Sequence, residues 1–282
     1  MQRIVITGVT SGFGQQWLYE LDKQNEIEFF VVARNQSKLD NMLVQRPLRN
    51  PVQLIQCDLL SIDSITAAVQ QIRNSTDSID ILVNNAGHWS GDAIEYSADG
   101  IESTLAVNQI APFVLTGKLL PLLLKASNPR VVNTASFRHR DATPNRDDIQ
   151  LTKSFNAERA YCNSKLFCVL FTQSAAARLS ASGITVNCFD PGIVDTPMLK
   201  QAFPKKLRLL YPLVRRLIAR TPHKGAETGV FLSISSKYTG ITGEYFKDQK
   251  TKRTSKLSKD KSLALWLWEE TERLSGFSFP RV

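Results

Sequence analysis

The sequence predicts an α/β fold: a Rossmann-like, doubly wound parallel sheet with helices on both faces, in a single domain spanning residues 1–282. Two observations predict this class. Short apolar runs alternate with longer helix-like runs over most of the chain, and a glycine-rich turn follows the first apolar run. An alternating βαβα pattern requires parallel strands joined by right-handed crossovers. The length would suit one large core or two small ones, and the unbroken alternation favours one.

Composition limits the classes of protein to which this chain could belong. The four cysteines show neither paired nor metal-like spacing, so we expect a reducing compartment, no disulfide framework and no metal site. The first strand begins within the first residues, which leaves no room for a signal peptide, and we expect no apolar run long enough to span a membrane. We therefore expect a cytoplasmic protein that is either free or peripheral to a membrane.

The net charge is +9, and part of it is local. Residues 199–224 carry eight basic side chains and no acidic one, and a second basic run covers residues 247–261. Such charge could serve nucleic acid, an anionic membrane or a phosphorylated cofactor. Aromatic residues are not interleaved with the basic ones, so we expect no nucleic-acid partner.

The amino-terminal half is typical of a dinucleotide site. A strand over residues 4–6 leads into a glycine-rich turn over residues 7–14 and a helix over residues 15–24. Strand, turn and helix present backbone N–H groups and a helix N-terminus to a pyrophosphate. Gly8 would permit the tight turn, Gly12 the approach of the phosphates, and Gly14 the close packing of helix on sheet. Alone, such a turn need not bind a nucleotide.

The residues that follow the second strand favour one of the two nicotinamide cofactors. The strand over residues 29–33 is followed by Arg34, with no acidic residue at positions 33–37. An acid there would bind the ribose 2′-hydroxyl, whereas an arginine accommodates a 2′-phosphate, so we expect NADP(H). A strand over residues 52–57 leads to Asp58 and Leu59, and one over residues 79–83 leads to Asn84. We expect a helix over residues 61–75 between them.

Tyr161 and Lys165 stand four residues apart in a run without proline or glycine, residues 156–182. On a helix this spacing places both side chains on one face. A phenol ionises near pH ~10, and a nearby ammonium should lower that pKa toward neutrality. The pair could then move a proton to or from an oxygen, although the motif alone is weak.

Together these motifs resemble the short-chain dehydrogenase/reductase family. The family's T-G-x-x-x-G-x-G, N-N-A-G and Y-x-x-x-K motifs match residues 7–14, 84–87 and 161–165. Its helix asparagine, strand-end serine and P-G motif match Asn108, Ser136 and residues 191–192. The resemblance implies a catalytic set of Asn108, Ser136, Tyr161 and Lys165. It also implies a cofactor set of Gly8, Thr10, Ser11, Gly12, Phe13, Gly14, Arg34, Asp58, Leu59, Asn85, Ala86, Gly87, Tyr161, Lys165, Pro191, Gly192, Val194 and Thr196.

Family roles follow as expectations. Tyr161 would act as acid or base, Lys165 would lower its pKa and hold the nicotinamide ribose, and Ser136 would bind the substrate oxygen. Asn108 would hold a water that links Lys165 to solvent. Asp58 would contact the adenine amino group.

A subgroup is also indicated. The 25-residue gap from Ser136 to Tyr161 is about a dozen longer than usual in the family and contains Asp148-Ile149-Gln150. Retinol-dehydrogenase-like members are similar in this insert, in Asp99-Gly100-Ile101-Glu102 and in the T-P-x-x-G-A pattern of residues 221–226. The chain departs from them by having Ala135 before Ser136 and Phe167-Cys168 after Leu166. Those members commonly carry an apolar amino-terminal anchor, which we do not expect here.

The carboxyl-terminal third loses the alternation. Residues 203–220 mix apolar and basic side chains, with a break expected at Pro212. In the family this region covers the substrate, so we expect a lipophilic substrate. A basic, apolar helix could also contact a membrane surface, or it could simply be a core helix. A last helix over residues 262–274 should bury Leu263, Leu265, Trp266 and Leu267.

We therefore predict an NADP(H)-dependent oxidoreductase that moves hydride between the nicotinamide and a carbonyl/alcohol pair of a retinal-, lipid aldehyde- or steroid-like molecule. Residues 1–135 would mainly bind cofactor, residues 136–200 would carry the catalytic groups, and residues 200–282 would cover the substrate and extend the carboxyl terminus. Homodimers or tetramers are usual in the family, but retinol-type members vary, so the resemblance leaves a homodimer open. The alternative is a cofactor-sensing or scaffold protein that uses its basic surface to bind a partner or membrane, although that function would not need the complete set of four catalytic residues.

Overall fold

Strands and helices alternate along the chain, as the sequence predicts. The structure is a computed structural model that describes residues 1–203 and 210–281. The predicted segment 203–220 falls partly outside the described residues, and with it Lys205, Lys206, Leu207, Arg208 and Leu209.

One sheet organises the described residues. Its strands are β1 (Gln2–Thr7), β2 (Ile27–Ala33), β3 (Val52–Gln56), β4 (Ile81–Asn84), β5 (Arg130–Thr134), β6 (Thr185–Phe189), β7 (Tyr245–Lys247) and β8 (Lys250–Thr251). They lie in the order β3-β2-β1-β4-β5-β6-β7-β8, and each described neighbour pair is parallel except β7 with β8. The reversal of strand order at β1 is the topology of a doubly wound fold, and ligands bind at such a reversal.

The helices connect these strands. They are α1 (Gly12–Leu21), α2 (Gln36–Gln45), α3 (Ile62–Ser75), α4 (Ser103–Leu105), α5 (Ala111–Leu123), α6 (Ala157–Arg178), α7 (Pro197–Ala202), α8 (Tyr211–Ile218), α9 (Pro222–Ile234) and α10 (Lys261–Ser275). A π-helical turn, Ala106–Ile110, joins α4 to α5 without a break.

Each face of the sheet carries its own core, because successive strand side chains point to opposite faces. Ile4 packs with α1, α2 and α9 on one face, whereas Val5 packs with α3, α5, α6 and α10 on the other. Helices therefore cover both faces, which confirms the predicted fold class.

Local capping explains why two helices begin where they do. Ser61 Oγ accepts from Ser64 N at 3.2 Å at the start of α3, and Asn156 Oδ1 accepts from Arg159 N at 2.8 Å at the start of α6. Such a cap contributes about 1 kcal/mol to helix stability. α6 ends at Arg178, before the predicted limit of 182, since a 3₁₀ turn (Ser180–Ser182) and left-handed Gly183 follow it.

Two expectations about apolar segments need correction. Within the described residues, the helical stretch Ser103–Leu123 is long and apolar enough to cross a membrane, contrary to the expectation that no such run exists. It is 83% buried inside the fold, as a core helix of a soluble domain would be. In α10, Leu265 is exposed and Trp266 is only half-buried, whereas Trp268 is buried, because the helix presents only one face to α6.

Candidate active site

The carboxyl ends of the parallel strands meet at one edge of the sheet and form a groove of about 230 Å³. Predicted cofactor residues line it: Gly8, Thr10, Arg34, Asp58, Leu59, Ala86 and Gly87. The turns after β1, β2, β3 and β4 supply these side chains, so the topology alone brings them together.

The glycine-rich turn is held by contacts with the loop that follows β4. Gly8 has φ +72°, and a Cβ there would lie 2.6 Å from Ala86 Cα. A Cβ on Gly14 would lie 2.2 Å from the Gly8 carbonyl oxygen. Asn85 Nδ2 donates to the carbonyl oxygens of Thr7 (3.1 Å) and Gly8 (2.9 Å). Asn85 and Gly14 therefore fix the shape of the turn. They do so through the contacts with protein atoms described above.

The other end of the turn approaches the loop after β6. A Cβ on Gly12, at φ +62°, would lie 2.9 Å from Thr196 Cγ2. Ser11 is exposed, immediately precedes α1 and makes no side-chain cap. The backbone N–H groups of the first turn of α1 are therefore available to an anion.

Sequence reasoning missed a second cation at the groove. Lys38, in the first turn of α2, lines the same end as Arg34, and both side chains are exposed. Asn35 lies between them and caps α2 by accepting from Lys38 N at 2.9 Å. The pattern of a capping asparagine after β2 would have placed Lys38 on the first helical turn, which is the signal that could have found it.

Ser136 and Tyr161 form the reactive pair of the site. Both side chains line one cavity, although Ser136 follows β5 and Tyr161 lies on α6. The Trp89 ring packs over Tyr161 with ring centroids 4.9 Å apart. Burial raises the pKa of Tyr161 above its ordinary value, and the nearby Ser136 side chain only partly opposes this. The lowered pKa that the Lys165 spacing predicts is therefore not found in this structure.

Lys165 and Asn108 lie behind this pair. Lys165 is buried, its Nζ lies 5.5 Å from the centroid of the Tyr161 ring, and it donates to the Thr134 carbonyl oxygen at 2.9 Å. Burial lowers the pKa of Lys165. Asn108, on the π-helical turn, donates to Ser164 Oγ at 2.9 Å and accepts from the His88 N–H at 2.7 Å.

Gly87 tests whether a cofactor fits between these groups. A Cβ at this position would have Asn108 Oδ1 at 3.8 Å and Lys165 Nζ at 3.9 Å. Even the smallest side chain would thus enter the space in front of the two polar groups. A glycine-floored cradle that continues from the groove toward Tyr161 suits an extended dinucleotide.

A second cavity, of about 370 Å³, opens beside Tyr161. Among the predicted residues, it is lined by Phe13, Ser136, Tyr161, Pro191, Gly192, Val194 and Thr196. Its remaining walls are mostly apolar and include Trp89, Phe137, Ile193, Met198, Leu199 and Ile218, which sequence reasoning did not assign individually. The spacing of motifs carries no signal for them, since α7 and α8 reach the cavity only through the tertiary fold.

The segment after β6 is tied down beside this cavity. Gly192 has φ +81°, and a Cβ on it would lie 2.8 Å from Arg220 Nε. Val194 and Arg220 form a parallel bridge, and Arg220 is paired with Asp248. This bracing holds the Pro191–Gly192 turn against the hairpin between β7 and β8.

Two of the subgroup motifs prove to be partners in space. Gln150, in the insert, accepts from the Glu102 N–H at 2.8 Å through its side-chain oxygen. Glu102 in turn caps α4, accepting from Thr104 N and Leu105 N at 2.8 Å each. The insert thus fixes the start of the helix that carries Asn108.

The chain belongs to the short-chain dehydrogenase/reductase family, in its retinol-dehydrogenase-like subgroup. The sequence model of the short chain dehydrogenase family matches residues 2–207. The protein is therefore an oxidoreductase of the class that acts on alcohols and carbonyls with a nicotinamide cofactor.

Named relatives cover nearly the whole chain. Human retinol dehydrogenase 13 is 30% identical over 99% of this chain and 86% of its own length. Bovine retinol dehydrogenase 12 is 32% identical over 97% and 86%, and human polyprenol dehydrogenase is 30% identical over 96% and 84%. Solved structures share the fold: an uncharacterised protein of Mycobacterium paratuberculosis (TM-score 0.78, 24% identity, 99% and 95% covered) and the Pseudomonas aeruginosa RhlG/NADP complex (0.68, 24%, 87% and 93%).

Proposed function

We propose that the protein is an NADP(H)-dependent oxidoreductase for the carbonyl/alcohol pair of a lipophilic substrate, working mainly as a reductase. The observation that carries this proposal is that Ser136 and Tyr161 line the same mostly apolar cavity, with Lys165 Nζ 5.5 Å from the centroid of the Tyr161 ring. Two hydroxyls that converge on one point can bind a substrate oxygen and exchange a proton with it.

The roles of the four catalytic residues follow from their environment. A nicotinamide cofactor, when bound, supplies or accepts the hydride. Ser136 donates a hydrogen bond to the substrate oxygen, and Tyr161 gives that oxygen a proton. Because burial raises its pKa, the Tyr161 hydroxyl stays protonated at neutral pH and is ready to act as an acid. This state suits reduction.

Lys165 and Asn108 act on the position and electrostatics of this pair. The Lys165 ammonium lies beneath the Tyr161 ring and favours negative charge on the phenolic oxygen as the proton leaves. Asn108 holds the His88 backbone through both of its amide atoms, which fixes one wall of the cradle beside Lys165. We propose that this arrangement also places the water that would link Lys165 to solvent.

The groove supports NADP(H) as the cofactor. Arg34 and Lys38 supply two exposed cations where a 2′-phosphate would lie. Gly8 and Thr10 in the groove, with Ser11 and Gly12 at the start of α1, would lie toward the pyrophosphate, and Asp58 and Leu59 toward the adenine. A guanidinium binds a phosphate through two donors, and an ammonium adds a second charge. Gly87, Lys165, Pro191, Gly192, Val194 and Thr196 would border the nicotinamide end.

The cavity supports a lipophilic substrate. Its walls are mostly aromatic and aliphatic, and buried apolar area is the main source of affinity for such ligands. The names of the relatives, retinol and polyprenol dehydrogenases, point toward long apolar alcohols or aldehydes. We propose retinal-like, lipid aldehyde or steroid-like carbonyls as the class to test.

We further propose a cytoplasmic location with contact to a membrane surface through the described end of segment 203–220. On α8, Leu217 and Ile218 are exposed apolar side chains, and Arg215 and Arg216 lie beside them. Ile218 also lines the substrate cavity, so a lipophilic molecule could pass directly from the membrane to the site. A homodimer is also compatible with this proposal.

The test is NADPH oxidation over a panel of apolar and polar carbonyls, with wild type and Tyr161→Phe compared. Loss of the phenolic hydroxyl removes a general acid, so kcat should fall by about 10²–10⁴-fold while the dissociation constant of NADPH stays nearly unchanged. A Tyr161→Phe protein with wild-type turnover would contradict the mechanism. Binding of NADPH without turnover of any carbonyl would favour the cofactor-sensing alternative.

A further inference from the structure

Ser136 is held by a histidine that the proposed mechanism does not use. His139 is completely buried on the 3₁₀ turn Phe137–Asp141, which begins directly after Ser136. Its Nδ1 lies 2.7 Å from the Ser136 carbonyl oxygen, and its Nε2 accepts from the backbone N–H of Ser255 at 3.2 Å. The imidazole therefore bridges the proposed catalytic serine and the carboxyl-terminal segment.

The two partners dictate one protonation state. A backbone N–H can only donate, so Nε2 must be bare, and a carbonyl can only accept, so Nδ1 must carry the proton. If Nε2 also carried a proton, it would be a donor that faces the Ser255 N–H, which is a donor too, and the hydrogen bond would be lost. Burial lowers the pKa of His139 as well, with Arg140 acting in the same direction and the Ser136 carbonyl, Asp190 and Asp141 opposing.

The surroundings make the bridge rigid. The Tyr245 ring of β7 packs on the imidazole with ring centroids 4.9 Å apart. Arg140, one residue further along the turn, donates to the Arg253 carbonyl oxygen, which gives the turn a second link to the same segment. Ser255 itself is fixed, because Ser258 Oγ donates to its carbonyl oxygen at 2.7 Å.

We propose that His139 is a positioning residue for the reaction: the Nδ1–H of its single neutral tautomer, which the Ser255 N–H selects, sets the place of Ser136 relative to Tyr161. The inference rests on the proposed role of Ser136. Reacting groups displaced by about 1 Å can lose about 10²-fold in rate, so a contact at the Ser136 backbone can matter to turnover.

Two variants separate the halves of the bridge. His139→Asn places an amide nitrogen where Nδ1 stands and can still donate to Ser136, but it ends short of Ser255. His139→Gln reaches the position of Nε2 and can accept from Ser255, but it leaves the Ser136 carbonyl without this donor. If His139 positions Ser136, His139→Asn should keep most of kcat, whereas His139→Gln should lose about tenfold or more with the dissociation constant of NADPH unchanged.

A merely structural histidine would give a different pattern. The two variants would then change kcat equally, or in proportion to their loss of thermal stability, and either result would overturn the proposal. Unfolding midpoints are therefore measured for both proteins beside their kinetics. His139→Gln with wild-type kcat would also overturn it.

The tautomer can be tested without substrate or cofactor. The chain has three histidines, so side-chain ¹⁵N signals of wild type can be assigned to His139 by their disappearance in His139→Asn. We expect a protonated Nδ1 and a bare Nε2 at pH 7. A protonated Nε2 would overturn the bridge while leaving the proposed function intact. A wild-type protein without turnover would overturn the proposed function, and the ¹⁵N signals would still decide the bridge.

Discussion

Arg34 and Lys38 illustrate how two residues can decide which cofactor binds. They lie at the same rim of the groove, one after β2 and the other on α2. Both side chains are exposed, so each pays only a modest desolvation penalty when it closes on a phosphate. In the proposed NADP(H) complex their charges would lie nearest the 2′-phosphate, which NADPH has and NADH lacks.

Arg34→Ala should therefore raise the KM for NADPH about 10- to 100-fold, because a hydrogen bond to a charged group is worth about 1.5–3 kcal/mol. The KM for NADH should change little, and Lys38→Ala should have a smaller effect of the same kind. Steady-state kinetics with both cofactors measure this. Arg46→Ala is the matched control, since Arg46 is a basic residue just after α2 that stacks on Tyr19 away from the groove. An equal rise for both cofactors would contradict the assignment.

The sequence predicted which residues lie in the candidate site better than it predicted what each of them does there. The motifs placed Ser136, Tyr161 and Lys165 within one site, because the fold that the alternation implies brings strand ends together. They did not reveal that the Asn85 side chain holds the glycine-rich turn, or that burial raises the pKa of Tyr161. Both depend on distances and desolvation across the fold, which the spacing of residues along the chain does not contain.

At the scale of elements, the sequence predicted which helices and strands exist better than it predicted the residues at which they begin and end. β2 begins at Ile27 and α1 at Gly12, two or three residues ahead of the expected starts. The π-helical turn Ala106–Ile110 had no sequence signal, although it presents Asn108 to His88 and Ser164. A π-helical turn is selected by its tertiary contacts, so periodicity cannot predict it.

The packing of α1 on α9 is the element contact most open to test. Gly229 on α9 lies against the Trp17 ring, and a Cβ there would lie 2.7–2.8 Å from three ring carbons. Trp17 is fully buried and donates to Ser233 Oγ at 3.3 Å, so the ring has little room to move. Because α1 begins in the glycine-rich turn, a displaced Trp17 would disturb that turn as well.

Gly229→Ala should lower the free energy of unfolding by about 1–2 kcal/mol, since the overpacking exceeds the gain in helix propensity. It should also weaken NADPH binding. Thermal unfolding and fluorescence titration with NADPH measure the two effects. Gly91→Ala is the control, because a Cβ at Gly91 would meet nothing within 4 Å. A Gly229→Ala protein as stable as Gly91→Ala would show that the two helices adjust freely.

At the scale of the whole molecule, basic and exposed apolar side chains lie together on α8, whose Ile218 lines the cavity beside Tyr161. The chain carries a net charge of +9, and exposed Arg215 and Arg216 lie on α8 beside Leu217, which is 73% exposed. Arg215 is paired with Asp195 at 3.5 Å, and this half-exposed pair is weak enough to exchange its partner for a lipid phosphate. The combination is typical of an interfacial helix.

Wild-type protein should therefore sediment with phosphatidylcholine vesicles that contain phosphatidylserine more than with pure phosphatidylcholine, and added salt should weaken the binding. Each basic residue near an anionic surface contributes about 1 kcal/mol, and the exposed apolar side chains add area buried in the interface. Leu217→Ser should reduce the bound fraction without changing turnover of a small water-soluble aldehyde, because Leu217 does not line the cavity. Leu124→Ser is the matched control: Leu124 is also exposed, but it follows α5 at the opposite edge of the sheet. If Leu217→Ser sedimented as wild type does, α8 would not be the contact surface, and the apolar side chains beside the cavity would serve substrate access alone.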